Sequence, residues 1–256
     1  MRLGIGLAVL LGVSAIARAQ SQPVNDPQAV AMAAQSILAL TGSTQINDVT
    51  LTANAISITG SDGETGTALL KAKGLYKSRV DLVLTGGSRS EIRNIVQGYP
   101  EGTWVDKNAV SHRYADQNCW TDPTWFFPAL SSLSGGDPNI VLSYLGPTTR
   151  FGVAVQHIRS FRTGGPFLES QQLSVMDFYL DATTLLPVSI AFNLHPDNDS
   201  TVNVPVETYF GGYQIVGGIL VPMHFQLYLQ GVIHLDFTIR RASVNSGLQD
   251  SVFGIQ

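Results

Sequence analysis

The sequence predicts an α+β fold that is mostly β. Three observations predict it. One stretch near residue 30 has apolar residues at helical spacing. Period-two alternation then dominates the chain from residue 49 onward, punctuated by glycine turns. The last third closes as an antiparallel meander with one apolar face.

The first residues are expected to precede the fold. Met1-Arg2 supply a short positive start, residues 3–16 are almost wholly apolar or small, and Ala17-Arg18-Ala19 carries small residues where a signal peptidase reads. The expectation is a signal peptide over residues 1–19, a short spacer over 20–26, and a single domain over 27–256. A membrane anchor would need an apolar run of about 18 residues or more, and this one is shorter. No later stretch is long and apolar enough to span, and no cysteine stands at the cleavage point for acylation. The expected location is therefore periplasmic or secreted.

Charge and composition narrow the function classes. The formal net charge is -4, and it becomes -6 without Arg2 and Arg18. With no basic patch, nucleic acid is not an expected partner. Charged residues are 13 % of the chain, against about 25 % in typical domains, so the surface must be mostly uncharged and polar. Cys119 is the only cysteine, which excludes an intramolecular disulfide. Beside Trp120 it reads as a small buried apolar residue; a reactive thiol would need a nearby cation, for which Arg113 is a distant candidate.

The helix begins with Asp26 as N-cap and Pro27 at its first position. Ala29, Val30, Ala33, Ile37 and Leu40 form its apolar stripe, and Gly42 ends it. Strands follow over residues 49–55 and 67–73, joined by a turn at Gly60-Ser-Asp-Gly63. Further strands are expected at 76–84, 89–97, 104–105 and 110–114. Asp122-Pro123 opens an apolar segment, Trp125, Phe126, Phe127, Leu130 and Leu133. Pro128 makes one continuous helix there unfavourable, so a short helix or two broken turns over the sheet are expected. Asp137-Pro138 reads as the cap of another helical turn reaching Leu145. Strands resume at 153–161, 173–180, 188–194 and 202–210.

The last hairpin can be registered from its pattern. Val221, Met223, Phe225, Leu227 and Leu229 share one strand face; Ile233, Leu235, Phe237 and Ile239 share the other strand's. A three-residue loop, Gln230-Gly231-Val232, pairs Phe225 with Phe237 and Leu227 with Leu235, with Gly231 as a left-handed bulge residue. That register sets His234 opposite Tyr228 and His224 opposite Thr238, on the polar face.

Three stretches carry a family resemblance. Tyr179-Leu-Asp-Ala-Thr-Thr-Leu-Leu-Pro-Val, Val216-Gly-Gly-Ile-Leu-Val-Pro222 and Val244-Asn-Ser-Gly-Leu-Gln-Asp-Ser-Val-Phe253 resemble the C-terminal half of outer-membrane lipoprotein carrier proteins, the LolA/LolB-like group. The opening helix, Thr50-Leu-Thr, Lys71-Ala-Lys-Gly74 and the turn near Asp106 follow in the order of the N-terminal half. The resemblance covers roughly residues 27–253. It implies a strongly curved antiparallel sheet, an unclosed barrel, with two or three helices on its concave side and a hydrophobic cavity for acyl chains. The family's early-strand arginine that holds a lid helix falls near Lys71-Ala72-Lys73, where this chain has none; Arg79 is the nearest.

No catalytic or metal pattern emerges. There is no His-Glu-x-x-His, no Cys-x-x-Cys, no Gly-x-Ser-x-Gly and no Ser-x-x-Lys. Gly86-Gly-Ser-Arg reads as a hairpin turn and Asp197-Asn-Asp199 as an ordinary acidic turn. No enzyme activity and no cofactor are expected. The candidate site is a hydrophobic-ligand cavity formed by Trp120, Trp125, Phe126, Phe127, Met223, Phe225 and Phe237, with core packing as the competing role for the aromatic residues. The expected function is an exported binding module for a lipid or acyl chain, with lipid or a lipidated protein as partner. The alternative is a non-enzymatic assembly protein that binds another envelope protein.

Overall fold

The computed structural model describes residues 23–164 and 169–255, so the expected signal peptide lies outside the described residues. The chain opens with helix α1, Pro27–Thr41. Six strands follow: β1 Asp48–Thr59, β2 Asp62–Lys73, β3 Lys77–Leu84, β4 Gly87–Val96, β5 Tyr99–Val105 and β6 Ser111–Arg113. An insert then carries three 3-10 turns, Asp116–Asn118, Pro128–Leu130 and Ser132–Ser134. Strands β7 Ile140–Arg150 and β8 Val153–Arg162 precede a single helical turn, α2, Ser170–Leu173. The meander is β9 Met176–Asp181, β10 Pro187–Leu194, β11 Val204–Val216, β12 Ile219–Leu229 and β13 Val232–Val244; a last 3-10 turn is Asp250–Phe253.

The 13 strands form one antiparallel sheet in the order β6-β5-β4-β3-β2-β1-β13-β12-β11-β10-β9-β8-β7. It ends at β6 and β7 without closing. Each half is a run of hairpins, and β1 pairs with β13 to join them. One sheet face supplies a core shared by residues as far apart as Leu70 on β2, Phe178 on β9 and Phe225 on β12. Only a sheet curled around its own contents brings those strands to one core. Helix α1 and the insert are those contents: Ala29, Ala33 and Leu40 join the same core as Phe126, Phe127 and Leu133. The fold is the α+β, mostly β, curved and unclosed sheet expected from the sequence.

The ends of α1 match their sequence signals. The Asp26 carboxylate accepts from the Gln28 amide at 2.8 Å, and Gly42, at φ +55°, donates its amide to the Leu38 carbonyl. The apolar segment after Asp122 forms two broken turns, because Pro128 cannot extend a helix across Phe127.

The region after Asp137 differs from expectation. No helical turn reaches Leu145; residues 140–150 are strand β7. Ile140, Val141 and Leu142 are buried there, and a β-branched start pairs well with β8, Ile140 opposite Arg162. Gly146-Pro147 does not break the strand. β7 is a sheet edge, where a residue lacking an N–H is tolerated, and the ladder absorbs the irregularity as a register shift between Tyr144 and Gly146.

The last hairpin keeps the expected pairs Phe225–Phe237, Leu227–Leu235 and His224–Thr238. It reaches them differently. The loop is two residues, Gln230 and Gly231, both left-handed at φ +52° and +79°, the conformation that matches strand twist in tight hairpins. That loop pairs Tyr228 with Ile233, and the ladder shifts between Leu227 and Tyr228. His234 is the extra residue in this bulge. Ile233 therefore shares the outer face with Tyr228, and His234 leaves the polar face on which the three-residue loop would have placed it.

The closing motif is a strap. Asp48, at the start of β1, accepts the Ser246 amide at 2.8 Å, the Ser246 hydroxyl at 2.9 Å and the Gly247 amide at 2.9 Å. Burial would raise this carboxyl's pKa, but these bonds outweigh it and hold the group below the usual carboxylate range. Phe253, fully buried, anchors the far end.

Candidate functional site

The concave face continues past the point where α1 and the insert fill it. On β12, Val221 and Phe225 are fully buried, whereas Leu227 and Leu229, further along the same face, are only partly covered. Phe192 on β10, Val206 on β11 and Leu235 on β13 extend this apolar wall. Glu91 and Arg93 on β4, Tyr114 just after β6, and Asn118 and Trp125 from the insert line its other sides. These residues enclose a cavity of about 200 Å3. Trp125 meets Phe126 edge-on at 5.5 Å and Phe225 at 6.2 Å between ring centroids, which fixes its plane.

The insert is tied down at both ends. Arg93 donates to the Thr121 carbonyl at 2.7 Å. Asp122 accepts from Arg162 on β8 at 3.0 Å and from the Ser132 amide at 2.7 Å. Asn118 exchanges two bonds with the His195 backbone, donating at 2.8 Å and accepting at 2.7 Å. The sheet arginines that bond this insert are Arg93 and Arg162. Arg79 instead pairs with Asp81 at 2.9 Å.

The sequence-predicted cavity residues separate into three places. Trp125 lines the cavity. Phe126, Phe127, Phe225 and Phe237 are fully buried in the core, and Met223 packs against it. Trp120 lines a different recess of about 240 Å3, with Cys119, Thr121 and Arg162; Arg93 borders both spaces. Phe192 and the polar pair Glu91–Arg93 were not singled out from the sequence, and Leu227, Leu229 and Leu235 were placed on the apolar hairpin face but not among the cavity residues. Leu227, Leu229 and Leu235 carry the same alternation signal as Phe225 and Phe237; only the reach of the plug separates lining from core.

The histidines are dispersed. His157 bonds Asp177 at 2.8 Å, His224 bonds Asp236 at 2.9 Å, and His112 stacks on Trp104 at 4.2 Å. Among the described residues, no three His, Cys, Asp or Glu side chains are grouped to hold a metal ion. A larger trough of about 1090 Å3 lies on the other side of β9–β12. Two of its arginines bond to other residues that line it: Arg159 grips Asp177 through two bonds, and Arg150 donates to the Tyr179 hydroxyl at 2.6 Å. Among the described residues no helix is long and apolar enough to cross a membrane.

No family model and no curated protein matches the sequence. Solved structures do match its shape. A domain from Vibrio parahaemolyticus described as an outer membrane lipoprotein-sorting protein aligns at TM-score 0.57 and 13 % identity, over 89 % of this chain and 96 % of that one. A DUF1329 family protein from Desulfovibrio piger aligns at TM-score 0.55 and 12 % identity, over 91 % and 98 %. A LolA superfamily protein from Nitrosomonas europaea aligns at TM-score 0.54 and 7 % identity, over 89 % and 97 %. The likeness is one of fold, and it establishes the LolA-like scaffold that the strand-and-turn motifs resemble.

Proposed function

We propose that this protein is an exported hydrophobic-ligand binding module of the cell envelope, periplasmic or secreted, that holds a lipid or acyl chain without chemistry. The cavity between Trp125 and the Leu227–Leu229–Leu235 wall carries the reading. A sheet that merely needed a core would cover those leucines as it covers Phe225. The fold shared with a lipoprotein-sorting domain supports the same reading, with lipid or a lipidated protein as the partner, and the leader-like residues 1–19 support export.

Magnitudes limit the ligand. An apolar cavity of about 150 Å3 takes one benzene, so 200 Å3 admits a chain segment of only a few carbons. Each buried methylene contributes about 0.8 kcal/mol, while association costs at least about 4 kcal/mol. A short chain alone would bind weakly; the insert must shift to take a longer one.

The rival reading, an assembly factor that pairs through an open strand edge, draws less support. The β7 edge is partly engaged: the Leu142 amide donates to the Asn25 side chain at 2.7 Å, and the Asp26 amide to the Leu142 carbonyl at 2.8 Å.

The test is native mass spectrometry of protein purified from its own envelope, with displacement of Nile red by added C8–C12 amphiphiles. Co-purifying lipid and displacement are expected. A clean apo mass together with no displacement would sink the proposal.

A further inference from the structure

Two spaces lie in succession along the concave face of β4, and one side chain belongs to both. Strand alternation puts Glu91, Arg93 and Ile95 in a row on that face. Glu91 lines the cavity of about 200 Å3. Ile95 lines the recess of about 240 Å3, whose apolar wall also includes Pro100, Trp120 and Pro123. Arg93, the residue between them, lines both.

Arg93 crosses from β4 to the insert. Its terminal nitrogens reach Thr121, at 2.7 Å to the carbonyl and 3.3–3.4 Å to the hydroxyl. It is 4 % exposed. Among the described residues its hydrogen bonds all go to Thr121, and Nε has none. An arginine that completes a buried network differs: Arg162 bonds Asp122, Asp137 and the Tyr76 hydroxyl. What Arg93 achieves is the span itself, and the span divides the space.

Resting on the reading above, we propose that Arg93 sets the longest apolar chain the cavity takes. Its extended side chain ends the cavity on the recess side, so an unbranched chain lying along Leu227, Leu229 and Leu235 stops there. Without that side chain the two spaces join, and the same chain runs on past Ile95 towards Trp120. An apolar cavity of about 150 Å3 takes the six carbons of benzene. The cavity of 200 Å3 therefore holds no more than about eight carbons, and the joined space roughly twice as many. A longer chain gains little by pushing Arg93 aside, because the buried guanidinium would lose its Thr121 bonds with no replacement among apolar neighbours.

Titration of delipidated full-length protein with 1-alkanols from hexanol to dodecanol tests this, read by intrinsic tryptophan fluorescence, since Trp125 is in the cavity wall. Each further buried methylene should tighten binding about fourfold up to about octanol, beyond which wild-type affinity should level off. In Arg93→Ala the rise should continue, so that dodecanol binds at least about tenfold tighter than to wild type while hexanol is little changed. Arg93→Gln, shorter but still a donor for the Thr121 carbonyl, should extend the limit by one or two carbons and serves where the alanine variant does not fold. A merely loosened insert would change affinity for all the alkanols alike; only a lost partition moves the limit. Wild-type affinity that keeps rising through dodecanol would overturn the inference, and that series needs no variant. So would an unmoved limit in a folded Arg93→Ala or Arg93→Gln. Either result leaves the apolar reading standing if the short alkanols still bind; absence of binding by every alkanol removes both.

Discussion

Arg162 on β8 and Asp122 at the head of the insert meet at 3.0 Å, with side chains only 13 % and 2 % exposed. The same guanidinium reaches Asp137 at 2.8 Å and the Tyr76 hydroxyl at 3.1 Å. One arginine thus ties both ends of the apolar segment to β8. Removing one partner of a buried pair leaves the other charge uncompensated, a loss of about 3–5 kcal/mol. Arg162→Met should therefore lower Tm by roughly 6–20 °C at the usual ~2–4 °C per kcal/mol for this size. Thermal denaturation followed by circular dichroism checks it; a loss under about 3 °C at that scale would mean the insert is held elsewhere.

Core and cavity wall should respond oppositely to changes in volume. The Phe225 and Phe237 rings lie 4.8 Å apart between centroids and are fully buried. Phe237→Ala should cost about 3–5 kcal/mol. Leu227→Phe adds volume where space exists, so stability should change by less than about 1.5 kcal/mol while Nile red binding is lost. Urea denaturation and dye titration on both variants separate the roles. Retained binding in a folded Leu227→Phe would place the ligand elsewhere.

Acid should release the C-terminal strap. The folded pKa of Asp48 is depressed, so its contribution is present above the unfolded value, about 3.9, and is lost as pH falls through the lower folded value. Asp177, bonded to His157 and Arg159, is depressed in the same direction. Asp48→Asn should be less stable than wild type at pH 7, and the difference should shrink below about pH 4. Urea midpoints measured between pH 7 and 3 test this; a difference independent of pH would contradict it.

Cys119 should be inert in the folded protein. It is 4 % exposed, and burial pushes its thiol up to about 11, so little thiolate forms near neutrality. A colorimetric disulfide reagent at pH 8 should react fully in denaturant and by less than about a tenth as fast without it. Rapid native labelling would reveal an open path to the insert.

Much of the architecture was legible because it rests on short-range rules. Asp26, Pro27 and Gly42 bound α1 through cap chemistry that involves only neighbouring residues. The pairs Phe225–Phe237 and Leu227–Leu235 follow from alternation, since a one-residue slip would turn every apolar side chain outward. Strand β7 was not legible: Asp137-Pro138 resembles a helix start, and only the partner strand β8 makes residues 140–150 extended. The hairpin's apolar register was readable, but not its device, because a three-residue loop and a two-residue loop with a bulge give the same pairs at Phe225.

By itself the sequence determined the bounds of α1, most of the strands, which face of the last hairpin is apolar, and which scaffold its turn motifs resemble. These depend on residue type and spacing along the chain. Only the tertiary structure decided that Phe225 is core while Leu227 lines a space, that Arg93 and Arg162 hold the insert, and that Glu91, Arg93 and His234 share one polar wall. Those outcomes depend on how far the plug reaches along the concave face and on a one-residue bulge. They arise where strands distant in sequence meet, and local pattern carries no record of that distance.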